Sequence, residues 1–203
     1  MALRALALNC TLKRGDASSS TQVMLTHLLA EFSRAGIAGE IVRCANFDIH
    51  PGVTSDEGPG DAWPDVRRKI LASDILVIGT PIWLGQPSSV CKRVLERLDA
   101  FISETDERKR MPSYGKLAVA AIVGNEDGAH HCVAEIFQAL NDVGFTIPAG
   151  GSTYWVGEAM GSVDLADLPK IPEKVASTNR MLARSTAHLA GLLRQSAYPG
   201  VEA

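Results

Sequence analysis

A doubly wound α/β domain, with a parallel sheet and helices on both faces, is the fold class this chain predicts. Three observations carry it. Short apolar runs alternate with helical patterns five times along the chain. Two of the runs, DILVIG at Asp74–Gly79 and KLAVAAIV from Lys116, are apolar without alternation, as strands covered on both faces are. Strand–helix–strand crossovers of this kind are right-handed and make neighbouring strands parallel. The 203 residues suit one domain spanning 1–203.

The elements follow in order. Leu3 to Leu8 is a first strand. A first helix runs from about Ser20 to Arg34, with Val23, Met24, Leu28, Leu29 and Phe32 on one side, and Gly36 ends it. GEIVR, reaching Arg43, is a second strand. ANFDIHPGVTSDEGPGD is rich in Pro, Gly and Asp and reads as an excursion. Trp63 to Ser73 forms a short helix with Pro64 near its start. DILVIG is the third strand. A helix over about Ser88 to Ser103 buries Val90, Val94, Leu98 and Phe101 with Cys91, Leu95 and Ile102. ETDERKRMPSYGK is a solvated loop. KLAVAAIV is the fourth strand, and Ala129 to Val143 a helix with Ile136, Phe137, Leu140 and Val143 inward. GFTIPAG holds the last short strand. GGSTYWVGEAMGSVD reads as a Gly-rich loop with two aromatics. Pro172 opens a final helix to about Gln195.

Composition narrows the function classes. A hydrophobic share of 46% against 21% charged residues is that of an ordinary globular domain. A net charge of -3 argues against nucleic acid or an anionic membrane as the main partner. The longest apolar stretch, LAVAAIVG, is too short to cross a bilayer, so no membrane insertion is expected. The residues after Met1 lack the pattern of a signal peptide. Cys10, Cys44, Cys91 and Cys132 are widely spaced, form no C-x-x-C pair and no zinc pattern, and read as small apolar fillers. Together these point to a cytoplasmic setting with reduced thiols.

In doubly wound sheets, ligands bind beyond the carboxyl ends of the strands. Three loops lie there. The first, NCTLKRGDASSST at Asn9–Thr21, is far longer than a strand-to-helix connection needs. Thr11, Ser18, Ser19, Ser20 and Thr21 place hydroxyls next to a helix N-terminus, whose free N–H groups attract phosphate. The same residues would also serve as a helix cap. Neither G-x-x-x-x-G-K-[ST] nor G-x-G-x-x-G is present, so a single terminal phosphate fits better than a nucleoside triphosphate or a dinucleotide pyrophosphate.

The second loop, TPIWLGQPSS from Thr80, is stiffened by Pro81 and Pro87. Its Ile82, Trp83 and Leu84 offer apolar surface to a flat aromatic ligand, and Gly85 allows close backbone approach. Packing of Trp83 on the sheet end or a subunit contact is the alternative. The third loop, GNEDGAHH, contains Gly124, Asn125, Glu126, Asp127 and Gly128 and leads into a helix at Ala129. It could offer N–H groups to ring heteroatoms. His130 and His131 are adjacent, which points them apart on a helix and makes them no metal pair; His130 is a candidate for binding or proton donation.

Taken together, the three loops resemble those of the flavodoxin-like NAD(P)H-dependent FMN and quinone reductases. That family carries a Ser/Thr-rich phosphate loop closing in Asn-Thr or Ser-Thr, here Ser20-Thr21. Its second loop reads T-P-x-[YW]-x-G-x-[PM]-[SA], matched here by Thr80, Pro81, Trp83, Gly85, Pro87 and Ser88. The resemblance covers about residues 3 to 150. It implies a five-stranded flavodoxin-like sheet in the order 2-1-3-4-5 and one FMN-binding domain. It also implies FMN as cofactor, NAD(P)H as co-substrate and a small-molecule electron acceptor such as a quinone or flavin. A homodimer or homotetramer is expected on the same ground. Thr11, Ser18, Ser20 and Thr21 would hold the phosphate. Pro81, Ile82, Trp83, Leu84 and Gly85 would hold the ring, and Gly124, Asn125, Asp127, Gly128 and His130 would line its other edge. No catalytic residue of the chain's own and no metal is implied. Two departures stand out: Asn9-Cys10 where many relatives have Gly-Ser, and Glu126 and Asp127 in a loop that is often Ser/Gly-rich. A flavodoxin-type electron carrier without turnover is the other reading. A hydrolase on the same sheet is disfavoured because no G-x-S-x-G elbow is present.

Overall fold

The computed structural model describes residues 2–201. β1 (Leu3–Asn9), β2 (Ile37–Arg43), β3 (Ile75–Trp83), β5 (Leu117–Gly124) and β6 (Ser152–Val156) form a parallel sheet, with the two-residue β4 (Gln86–Pro87) folded back on β3. The spatial order is β2-β1-β3-β5-β6. Counting only the five parallel strands, this is the expected 2-1-3-4-5. Asn9 pairs with Arg43 on one side and Gly79 on the other, so β1 ends between two neighbours.

Among the described residues five α-helices cover the sheet: α1 (Ser20–Arg34), α2 (Trp63–Leu71), α3 (Ser89–Leu98), α4 (Ala129–Asp142) and α5 (Glu173–Gln195). Strand alternation sorts them. Leu6 and Leu8 of β1 pack with Trp63, Val94 and Ile136 of α2, α3 and α4. Ala5 and Ala7 face Leu25, Leu28 and Phe32 of α1 and Leu182 of α5. Each fully buried Leu, Ile, Val or Phe among them contributes about 1.5–3 kcal/mol relative to exposure. β3 and β5, buried along almost their whole length on both faces, have no polar face to alternate with.

Several boundaries differ from the sequence expectation. The last strand is not in GFTIPAG, where Thr146 makes one isolated bridge to Leu117. It lies in STYWV, read above as loop, because the β-branched and aromatic residues there pair with Ala120–Gly124. The helix expected over Ser88 to Ser103 is α-helical only to Leu98 and finishes as a 3-10 turn over Asp99–Ile102. The second loop is largely strand: β3 runs on through Thr80–Trp83 and turns back at Leu84 and Gly85, both with positive φ (52 and 74). That geometry is the two-residue hairpin turn whose twist matches the strands.

The excursion after β2 is held from within. Arg97 is fully buried and pairs with Asp61 at 2.7 Å, donates to the carbonyls of His50 and Thr54, and lies over the Trp63 ring. Burial raises the Asp61 carboxyl, but the N–H groups of Glu57, Trp63 and His50 and the Arg97 guanidinium outweigh it and hold it at about 2.

Candidate functional site

Beyond the carboxyl ends of β1, β3 and β5 lies a cleft of about 460 Å³. That is the size of a small-molecule site. Its floor and one end come from the first loop. Ser19 is the N-cap of α1, its Oγ accepting from the Gln22 N–H at 3.3 Å. One hydroxyl therefore does the capping. Ser20 and Thr21 are the first two helical residues, and their backbone N–H groups point out of the helix without intrahelical acceptors. Thr11 and Thr21 are buried and line the same end, together with Lys13. Ser18 is exposed and stands outside the lining. The length of the loop has a physical reason: Arg43 donates to the carbonyls of Gly15 (2.5 Å) and Ala17 (2.9 Å), and Asn46 accepts from the Gly15 N–H. The excursion is thereby pulled onto β2 and away from the cleft mouth.

The other end is apolar. Pro81, Ile82, Trp83 and Leu84 form one wall. Ile82 is buried beneath the site, while Trp83 is 54% and Leu84 91% exposed over it. The hairpin is anchored at its base by Thr80 Oγ1, which accepts from the Ser88 N–H, and by Ser88 Oγ, which donates to the Cys10 carbonyl at 2.6 Å. Ser88 Oγ also accepts from the Cys91 N–H, capping α3. One serine thus ties β3, the end of β1 and the start of α3 together.

The third loop clamps the hairpin tip. Glu126 Oε1 accepts from the Leu84 N–H at 2.8 Å. Gly128, at φ 125, comes so close to Gly85 that a Cβ there would sit 2.7 Å from the Gly85 Cα. His131 pairs with Glu135 at 2.7 Å and meets Gln86 at 3.0 Å. Gly124, Asn125 and Glu126 line the cleft; Gly85, Asp127, Gly128 and His130 lie outside the lining. His130 is exposed and meets the Tyr154 ring edge-on at 5.3 Å.

Most of the far wall was missed by sequence reading, which put only the aromatics Tyr154 and Trp155 near the ligand rim. Trp155 of β6 and the strap that follows, with Met160, Gly161 and Asp164, complete the lining. The strap is tied at both ends. The Met160 N–H donates to the Asn125 carbonyl, Asn125 Nδ2 donates to Asp164 Oδ1 at 2.9 Å, and the Ala166 N–H donates to Ser20 Oγ. Met160, like Leu84, is a non-glycine residue at positive φ (61) and is 91% exposed at the mouth. Two aromatic residues in a Gly-rich stretch were the available signal.

The four cysteines are buried and free beneath the site. Hydrogen bonding with the Cys44 and Cys91 thiols, together with burial, raises Cys10, and burial pushes Cys132 up to about 12. Those two thiols, Cys10 and Cys132, therefore stay protonated at neutral pH and are poor nucleophiles. No group of three or more metal-ligating side chains occurs among the described residues, and no helix among them is long and apolar enough to cross a membrane.

Comparison with known proteins agrees with this geometry. Residues 3–161 match the model of the NADPH-dependent FMN reductase family. The chain is 32% identical to the 8-demethyl-8-aminoriboflavin-5'-phosphate synthase of Streptomyces davaonensis, over 98% of this chain and 81% of that protein. The crystal structure of RosB with the bound intermediate 8-demethyl-8-formylriboflavin-5'-phosphate superposes with a TM-score of 0.87 at 32% identity, covering 98% of this chain and 82% of that one. A protein of Mycobacterium bovis named divalent metal cation transporter MntH is 35% identical over 96% of this chain, which spans only 30% of its length. A flavodoxin from the Archaea shares the fold at a TM-score of 0.59 and 9% identity. By its family match and by its likeness to a flavin-handling relative along nearly its whole length, the chain belongs to the NADPH-dependent FMN reductase family, with a flavodoxin-like fold.

Proposed function

We propose that the cleft binds FMN and that the protein passes electrons from NAD(P)H through it to a small acceptor such as a quinone or a free flavin. The observation that supports this reading is one cleft with two chemically different ends. One has unpartnered helix N–H groups, the Thr11 and Thr21 hydroxyls and Lys13; the other has Pro81, Trp83 and Trp155. A phosphate monoester suits the first and a planar ring the second. The ionic and hydroxyl donors fit the phosphate, and the apolar surfaces of Pro81, Trp83 and Trp155 fit the ring. Bound FMN would supply the redox chemistry. The chain's residues would bind, orient and partly dehydrate it, with Asn125 and Glu126 offering polar groups at the ring end. Gly85, Asp127, Gly128 and His130 would act by shaping the loops, and Ser18 by bordering the phosphate end.

The visible spectrum of the purified protein tests the first half: a flavin spectrum that returns when the apoprotein is titrated with FMN, and binds FAD more weakly, is expected. Equal or tighter FAD binding would refute it. Stopped-flow mixing with NADH and NADPH tests the second half; no bleaching with either leaves a flavin-binding module without turnover.

A second reading follows from the 32% identical synthase, whose name makes a riboflavin phosphate its product. FMN or a close derivative could be the molecule transformed in this cleft. Aerobic incubation with FMN and an amino donor, followed by mass spectrometry, separates the two: unchanged flavin mass supports the reductase reading.

A further inference from the structure

We infer that Asn9 is a positioning residue: it ties together the two limbs of the phosphate loop and so sets the site's preference for a phosphorylated flavin. The inference rests on the reading of the cleft given above. Asn9 is the last residue of β1 and is fully buried. Its Oδ1 accepts from the Thr11 N–H at 3.0 Å, a local turn that sends the chain off the strand. Its Nδ2 donates to Gln22 Oε1 at 2.9 Å. Gln22 adjoins Thr21 and gives its own N–H to the capping Ser19. One side chain therefore touches the departing limb at Thr11 and the returning limb at the first turn of α1.

The sheet does not need this side chain. The backbone of Asn9 is already fixed by pairing with Arg43 and Gly79. The middle of the loop is held elsewhere, by Arg43 and Asn46 near Gly15. What the Asn9 amide adds is the separation between the Thr11 hydroxyl and the α1 N-terminus, the two groups that converge on the phosphate end of the cleft. Both of its polar atoms are spent on that task. A side chain that only accepts, such as a carboxylate, or only donates, such as an ammonium, cannot accept from one limb while donating to the other.

The consequence is a selective loss. A residue that only stabilises the fold affects every ligand alike, whereas one that spaces phosphate donors affects only the ligand with a phosphate. The test measures the affinities of FMN and riboflavin for the wild type, Asn9→Ala, Gln22→Ala and the double variant. Their ratio is independent of the fraction of folded protein. Asn9→Ala is expected to weaken FMN about tenfold and riboflavin less than about twofold, the loss of two neutral hydrogen bonds. Gln22→Ala removes the acceptor of the Asn9 bond, together with an exposed 3.5 Å contact to Thr26 Oγ1, and should cost FMN about threefold. The double variant should match Asn9→Ala and fall short of the product of the two, because both changes act on one contact. Equal losses for both flavins, or none, would overturn the inference. Should Asn9→Ala fail to fold, Gln22→Ala decides alone: a loss confined to FMN supports the inference and no change in ratio overturns it. A wild type that binds both flavins equally overturns the phosphate reading and this inference with it. A wild-type preference that survives Asn9→Ala overturns this inference only.

Discussion

Glu126 is a carboxylate in the cleft wall whose Oε1 is engaged by the Leu84 N–H, while its neighbour Asp127 is exposed outside the lining. Negative charge beside a ring that must accept electrons opposes their arrival. Glu126→Gln keeps an oxygen for Leu84 and removes the charge, so it should raise the FMN midpoint potential by tens of millivolts; about 30 mV is 1.4 kcal/mol for a two-electron couple. Asp127→Asn should leave it unchanged. A spectroelectrochemical titration checks both, and an unaltered potential in Glu126→Gln reduces that residue to a clip on the hairpin. At the opposite end, Thr21→Ala should weaken FMN by on the order of 1.5–3 kcal/mol, the worth of a hydrogen bond to a charged group, and spare riboflavin. Hydroxyl density made this end of the cleft legible in the sequence. Which hydroxyl caps was not legible, because Ser18, Ser19, Ser20 and Thr21 have nearly the same chemistry and only backbone geometry makes Ser19 the cap. Asn9 was noticed as a departure, but its partner Gln22 lies thirteen residues away and only the fold joins them.

At the scale of elements, the apolar strands β3 and β5 and the five helices could be read directly, since a strand buried on both faces leaves a continuous apolar run. β6 could not: STYWV is flanked by glycines on both sides, and its pairing with β5 overrides that local signal. The strap after it, and with it Met160 and Asp164, was invisible for the same reason. The hairpin and the third loop form a second unit whose fit depends on two glycines. Gly128→Ala would drive a methyl into the Gly85 backbone, at a φ that side chains avoid, and should cost about 1–3 kcal/mol. Thermal unfolding should fall accordingly, and the apolar end of the cleft should lose ligand affinity with it. The excursion stapled by Arg97 and Asp61 predicts an acid limb. A carboxyl held at about 2 binds its proton less readily folded than unfolded, so its contribution is complete above about pH 4 and is lost as pH falls towards 2. Its size is about 2 kcal/mol. Asp61→Asn should flatten that part of the stability–pH curve measured by urea unfolding.

The whole molecule presents an unusual mouth. Leu12, Trp83, Leu84, Met160 and Val163 are all exposed, and four of them line the cleft directly. An apolar rim of this kind marks a surface that is covered in use. We propose that a second copy covers it in a homodimer or a pair of such dimers, and sedimentation at micromolar concentration should find more than a monomer; a lone 21.6 kDa species would count against it. The placing of sulfur in this protein sets an order of wear. Its four thiols are all buried, and those of Cys10 and Cys132 are held above the ordinary thiol range. The thioether of Met160 instead stands at the doorway, 91% exposed. Under dilute peroxide, then, peptide mass mapping of protein dilute enough to leave the mouth uncovered should find the first oxygen on exposed methionines, Met160 among them, with the cysteines intact and with Met160 shielded once a second copy covers it. Ageing in air would begin by turning a greasy threshold polar, blunting entry to the cleft long before the interior was touched.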